Sequence, residues 1–166
     1  MNPIILSPAL FKQIETEGAN AFPNECCGIL IGSDVKEAER AVRIVKRLLP
    51  GKNAFEADEQ YHRFSIDPRA QLQAEREAAA EGLAVLGFYH SHPNHPARPS
   101  DYDRDHGWPF YSYVIVSIQD GKPDLMTSWV LNDQSNEFEK QEILVKEIMD
   151  ALGVGESADG DGGAAM

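Results

Sequence analysis

The chain has 166 residues, of which 42% are hydrophobic, so it can form one domain with an ordinary core and does not have the composition of a disordered protein. Its net charge of −12 argues against nucleic-acid binding through a broad basic surface. No segment approaches the ~20 apolar residues of a membrane helix, and the N-terminus lacks the basic start of a signal peptide. We therefore expect a cytoplasmic protein with no membrane or nucleic-acid partner.

The first half of the chain predicts a helix followed by strands. Ser7 and Pro8 are typical of a helix start, and apolar residues then recur at helical spacing over residues 6–17. Short runs rich in apolar and β-branched residues predict strands at residues 26–32, 37–49 and 61–66. Asp67 and Pro68 then begin a second helix over residues 69–81, which is rich in Ala, Gln and Glu and ends at Gly82.

The second half alternates less regularly. An apolar strand is predicted at residues 83–90, followed by a proline-rich ordered loop at 91–99 and a short helix from Ser100 to about Gly107. Further strands are predicted at residues 113–117, 125–131 and 137–145, the last of which could instead continue as a helix through Leu152. This order predicts the α/β class, with a mixed central β-sheet packed by helices in a single domain of residues 1–152. The composition of residues 153–166 predicts a flexible, acidic, Gly-rich tail.

The two cysteines, Cys26 and Cys27, are adjacent in the chain. Neighbouring cysteines cannot form a disulfide framework without strain, and they lack the C-x-x-C spacing of a structural zinc ribbon. We therefore expect two reduced, partly buried thiols.

A possible metal site follows the apolar strand. His90 ends that strand and His92 lies two residues on, so both side chains project to the same side of an extended backbone. An open zinc site needs a third protein ligand, and Asp103, one helical turn after Ser100, is a candidate. Each feature has an ordinary explanation as well, because Ser100 and Asp103 could simply form a capping box. His95 and His106 are alternative nitrogen ligands, and Asp101 and Asp105 are alternative carboxylates.

The combined spacing is more specific than any of its parts. Glu25, His90-Ser91-His92, Ser100 and Asp103 match the motif of a Glu followed much later by H-[ST]-H, seven residues and S-x-x-D. In this respect the sequence resembles the JAMM (MPN-plus) zinc metallopeptidases, in their compact bacterial branch, and the likeness spans about residues 4–145. The resemblance implies a JAMM/MPN fold, with an arrangement like that of cytidine deaminases.

The resemblance also implies a function. His90, His92 and Asp103 would bind one Zn²⁺ per chain, with a water at the fourth position. Glu25 would act as the general base and Ser100 would stabilise the oxyanion. The implied substrate is a ubiquitin-like or sulfur-carrier protein, cut at the amide bond next to its C-terminal Gly-Gly, and the enzyme would be a monomer or homodimer. The alternatives are a non-catalytic MPN-type binding scaffold and a zinc hydrolase of a small molecule or of a DNA-linked substrate.

Overall fold

The computed structural model describes residues 1–52 and 66–148. In these two ranges three helices accompany one sheet, the helices being α1 (Pro8–Ala21), α2 (Pro68–Ala80) and α3 (Asp101–His106). The strands are β1 (Ile4–Leu6), β2 (Cys27–Glu37), β3 (Arg40–Gly51), β4 (Ala84–Pro93), β5 (Ser112–Gln119), β6 (Lys122–Asn132), β7 (Glu137–Gln141) and β8 (Ile143–Val145). No helix in the described ranges is long and apolar enough to cross a membrane.

Both longer helices begin where their capping residues predict. The Ser7 side chain accepts a hydrogen bond from the Leu10 N–H, and the Asp67 side chain accepts one from the Arg69 N–H. A proline occupies the first turn in each case, where the missing N–H costs nothing. Helix α1 extends to Ala21, four residues past the predicted end. At its C-cap the Phe22 N–H donates to the Gly18 carbonyl.

The sheet is mixed, with strand order β7-β6-β5-β4-β2-β3-β1-β8. Strands β4 and β5 run parallel at its centre, and β1 is parallel to both of its neighbours, whereas the other pairs are antiparallel. Strands β7 and β8 lie at opposite edges, yet only Glu142 separates them along the chain. Because adjacent Cα atoms lie about 3.8 Å apart, the two edges must meet and the sheet must curl.

Residues on β4 alternate between two cores. Leu86 and Tyr89 belong to a cluster that contains Ile14 of α1. Val85 and Phe88 belong to a second cluster, which contains Ala74 and Ala78 of α2. The helices therefore cover both faces of the sheet, and β4 runs between them fully buried from Val85 to Pro93.

The structure confirms the predicted class, an α/β protein with a mixed sheet packed by helices. Several details differed from the prediction. Strand β2 continues through Glu37, five residues past its predicted end, and β3 begins at Arg40, three residues after its predicted start. Residues 137–145 are two strands instead of one, residues 4–6 form the unpredicted strand β1, and β4 continues through Pro93, so that only residues 94–99 remain of the predicted loop. The strand predicted at residues 61–66 falls outside the described residues except for Ile66, which belongs to no strand, and the tail at 153–166 lies wholly outside them.

Candidate metal centre and catalytic cleft

The two histidines lie at the carboxyl end of β4 and face the same side. Pairing with β2 on one side and β5 on the other buries this strand, which leaves His90 fully inaccessible and His92 6% exposed. Their Nε2 atoms are 3.1 Å apart. The even spacing along an extended strand thus brings two imidazole nitrogens to one point, as the sequence predicted.

Asp103 completes the cluster from α3. Its Oδ1 atom lies 3.4 Å from Nε2 of His90, and its Oδ2 atom lies 3.3 Å from Nε2 of His92. The three residues offer one ligand atom each, and these atoms all lie within 4.8 Å of one another. Among the described residues this is the group of histidines, cysteines and acids that could hold a metal ion.

The spacing of the three atoms suits zinc. Nitrogen and oxygen ligands at ordinary zinc distances, arranged tetrahedrally, lie about 3.3–3.5 Å apart. The two Nε2 atoms are 3.1 Å apart, and each lies 3.3–3.4 Å from a different oxygen of the Asp103 carboxylate, which is close to this range. Three protein ligands leave one position open. Two imidazoles and one carboxylate are also a typical donor set for a catalytic zinc. The residues present therefore fit the metal that the sequence predicted.

The ionised Asp103 carboxylate favours a positive charge in the cluster. Burial lowers the pKa of His90, although Asp103 opposes this. Burial also disfavours the charged form of His92, but the hydrogen bond and charge of Asp103, together with the Pro96 carbonyl and Glu25, raise the pKa of His92. Burial likewise disfavours the Asp103 carboxylate, yet the two imidazoles hold the pKa of Asp103 well below its usual range. The carboxylate is thus ionised, as a metal ligand must be.

Contacts outside the cluster hold His92 in the tautomer that ligation requires. Nδ1 of His92 lies 2.8 Å from the carbonyl oxygen of Pro96. This contact places the proton on Nδ1 and leaves the lone pair of Nε2 directed at the cluster. The loop is itself anchored, because the Ser117 hydroxyl donates to the His95 carbonyl and the Thr127 hydroxyl donates to the Ala97 carbonyl, each at 2.6 Å.

Glu25 lies immediately before β2, where its side chain enters the same region. The residue is only 7% exposed, and it shares the wall of a cleft of about 510 Å³ with His92 and Ser100. Burial raises the pKa of Glu25 to about 8, while His92 opposes and Asp103 adds to this shift. A carboxyl group with a raised pKa is a good proton acceptor near neutral pH.

Ser100 is the N-cap of α3 and contacts Asp103 twice. Its backbone N–H donates to Oδ2 of Asp103 at 2.8 Å, and its Oγ atom accepts from the Asp103 N–H at 3.1 Å. This is the capping box that the sequence allowed. The Asp103 carboxylate accepts the Ser100 N–H and also faces the two histidines, so the cap and the cluster coexist. The hydroxyl proton of Ser100 remains available for a donor role in the cleft.

The alternative ligands do not join the cluster. His95 lines the cleft, and His106 stacks on Tyr102 at a ring-centroid distance of 4.0 Å. The side chains of Asp101 and Asp105 are exposed and pair with Arg104.

Some residues of the cleft were not identified from the sequence. Trp129 of β6, Phe138 of β7, Arg98 and Arg104 also line it. In the sequence, the two aromatic residues look like ordinary core residues of a strand. Their place in the cleft becomes apparent only once the chain is folded.

Comparison with known proteins identifies the family. The model of the prokaryotic homologs of the JAB domain matches residues 7–132, which is most of the chain. The chain belongs to this family. The prokaryotic JAB fold is also seen in the solution structure of a protein from Desulfitobacterium hafniense, which is 32% identical, with a TM-score of 0.73 over 89% of this chain and 95% of that one.

Two relatives have names that state an activity. The prokaryotic JAB chain is 34% identical over 96 residues to a desampylase of Haloferax volcanii, a match that covers 57% of this chain and 63% of the relative. It is 39% identical over 61 residues to a probable TtuB-protein conjugate cleaving protease of Thermus thermophilus, covering 37% of this chain and 40% of the relative. The matches thus span less than two thirds of the length of these relatives.

Proposed function

We propose that this protein is a zinc-dependent metallopeptidase that hydrolyses the amide or isopeptide bond following the C-terminal Gly-Gly of a ubiquitin-like or sulfur-carrier protein. The observation that carries the proposal is that two imidazole nitrogens and a carboxylate converge within 4.8 Å of one another, in the region of the buried carboxyl of Glu25. The conjugate-cleaving activity in the name of the Thermus relative supports this choice of substrate class.

His90, His92 and Asp103 would hold the zinc ion. When bound, zinc acts as a Lewis acid that makes water more acidic and polarises a carbonyl group. His92 lines the cleft, and all three ligand side chains are almost inaccessible to solvent, so the chemistry would take place where the cleft reaches His92.

Glu25 would move the proton. Its carboxylate would accept a proton from the attacking water and would then deliver that proton to the nitrogen of the departing amine. Burial favours this role, because a carboxyl group with a pKa near 8 holds the proton between the two steps more readily than an exposed glutamate would. The neighbouring thiols take no part, since hydrolysis by water requires no covalent acyl-enzyme.

Ser100 would stabilise the negative charge that develops on the substrate carbonyl. The Ser100 side chain already accepts the N–H of Asp103, so the hydroxyl is held in one orientation with its proton available. A donor held in place before the reaction lowers the barrier without any need for reorganisation. The same serine thus links the metal ligand to the reacting carbonyl.

The test combines zinc analysis with a conjugate assay. The probe is a ubiquitin-like protein joined through its C-terminal Gly-Gly to a lysine side chain, with mass spectrometry of the released carboxyl terminus. Glu25→Gln should keep one zinc per chain and lose about 10²–10⁴-fold in kcat. Asp103→Asn should lose both zinc and turnover, whereas Asp105→Asn, on the exposed side of the same helix, should keep both. Wild-type turnover by Glu25→Gln, or a purified protein that binds no zinc, would contradict the proposal.

A further inference from the structure

Ser91 lies between the two candidate ligands in the chain but faces the opposite side of β4. Strand geometry directs alternate side chains to opposite faces, so Ser91 shares the α1 side with Tyr89. The residue is completely buried, and a Cβ atom placed on Gly18 of α1 would lie 3.3 Å from the Cβ atom of Ser91. Its hydroxyl therefore cannot reach a substrate in the cleft.

Ser91 instead binds the backbone of Cys26 at two points. The Cys26 N–H donates to Oγ of Ser91 at 2.8 Å, and the Ser91 N–H donates to the Cys26 carbonyl at 3.2 Å. Cys26 directly follows Glu25 in the chain. The ligand-bearing strand and the residue next to the candidate general base are thus joined by one buried side chain.

The segment that precedes Cys26 is held by hydrogen bonds to nearby residues of the chain. The Phe22 N–H bonds to the Gly18 carbonyl and the Asn24 N–H to the Ala21 carbonyl, both within the end of α1 and its turn. The pairing of β2 with β4 begins one residue after Cys26, where Cys27 is opposite His90. Glu25 is therefore placed between a local turn and the strand pairing, and the Ser91 hydroxyl fixes the point where the two meet.

We propose that Ser91 is a positioning residue for the general base, an inference that rests on the function proposed above. Its hydroxyl fixes the carboxyl of Glu25 relative to His90 and His92 by holding the Cys26 N–H. Without that acceptor the N–H is left buried and unpaired, and the turn must shift to satisfy it. A shift of about 1 Å in a catalytic group can lower turnover by about 100-fold.

The experiment compares two variants of equal shape. Ser91→Thr keeps the hydroxyl, and Ser91→Val replaces it with a methyl group. We expect Ser91→Val to have a kcat about 10–100-fold below that of Ser91→Thr, with unchanged KM and one zinc per chain in both. Ser91→Ala, compared with wild type, makes the same test without added volume should the Val variant not fold.

Ser128→Ala is the matched control for the loss of a buried serine hydroxyl. Ser128 is also fully buried on a central strand, but its hydroxyl donates to Gln141 and does not contact the turn of Glu25. This variant should lose stability and keep the wild-type kcat.

Three results would overturn the inference: equal kcat in Ser91→Val and Ser91→Thr, a kcat loss in Ser91→Val that zinc loss fully explains, or an equal kcat loss in Ser128→Ala. Glu25→Gln, measured alongside, separates this inference from the function on which it rests. If Glu25→Gln is inactive while Ser91→Val turns over like Ser91→Thr, only the positioning role fails. If Glu25→Gln is fully active, the function fails.

Discussion

The N–H of Ser100 donates a hydrogen bond to Oδ2 of Asp103, the oxygen atom that lies 3.3 Å from Nε2 of His92. The N-cap residue of α3 therefore orients the carboxylate that faces the metal centre. Because the Ser100 hydroxyl accepts the Asp103 N–H in return, helix capping and ligand placement depend on the same pair of residues.

This pair gives the first prediction, for Ser100→Ala. Loss of the cap should lower the free energy of unfolding by about 0.5–2 kcal/mol. Loss of the proposed oxyanion donor should lower kcat by about 10²–10³-fold, with zinc still bound, because the backbone N–H of residue 100 remains. Thermal unfolding and single-turnover kinetics measure the two effects separately. Ser100→Thr keeps the hydroxyl and should restore most of both, and a full wild-type kcat in Ser100→Ala would exclude the donor role.

The second prediction concerns metal removal. Zinc that binds the folded protein and not the unfolded chain should raise the free energy of unfolding by about 2.7 kcal/mol when its free concentration is 100 times its Kd. Titration of the metal-free protein with zinc, followed by thermal unfolding, should therefore raise Tm progressively. The same rise is expected for Asp105→Asn, whose side chain is exposed, and no rise for Asp103→Asn. An equal rise in both variants would show that zinc binds elsewhere.

Much of the site could be predicted from the sequence, because its information is local. The spacing of His90 and His92 determines a shared face once the segment is a strand, and Ser100 and Asp103 are one helical turn apart. The contact between Asp103 and the two histidines is not local, because it depends on how the intervening loop folds. The variants above test the chemical roles of these residues.

The errors in the fold have the same origin. Strand β1 has three residues and pairs with β3 and β8, which are distant in the sequence, so its short apolar run gives little signal by itself. The break between β7 and β8 at Glu142 has no typical turn residue. It arises because the chain stops pairing with β6 there and begins to pair with β1 at the other edge of the sheet. Similarly, nothing in the sequence indicates that Ser91 contacts Cys26, 65 positions earlier.

The third prediction concerns the two thiols. Burial, the largest cause, raises the pKa of Cys26 to about 12 and that of Cys27 to about 12, and the Glu25 carboxylate adds to both shifts. A raised thiol pKa lowers the thiolate fraction at a given pH, so at pH 8 only about one molecule in 10⁴ carries a thiolate at either position. Alkylation with iodoacetamide at pH 8, followed by mass spectrometry, should leave both thiols unmodified in the folded protein and modify both in denaturant. Rapid alkylation of the folded protein would contradict this burial.

The fourth prediction tests the packing beneath the site. Gly28 of β2 lies against the ring of Tyr89, so a Cβ atom at position 28 would overlap the ring. The ring cannot easily move aside, because it is fully buried and its hydroxyl donates to Oε1 of Glu17 at 2.6 Å. Gly28→Ala should therefore lower the free energy of unfolding by about 1–3 kcal/mol or more, as overpacking of a filled core does. Chemical denaturation measures this loss.

Gly51→Ala is the matched control for that substitution. Gly51 of β3 pairs with Cys27 of β2, the residue before Gly28. A Cβ atom at position 51 would lie 3.4 Å from its nearest neighbour, the Cys27 carbonyl oxygen, which is close to ordinary contact. We expect a change of less than about 0.5 kcal/mol, typical of a substitution that neither overpacks nor strains the chain. Equal losses in the two variants would mean that glycine itself, and not the ring of Tyr89, accounts for the effect. A loss confined to Gly28→Ala would show that Tyr89 is held rigidly one residue before His90, so that the strand presents the first candidate ligand from a fixed base.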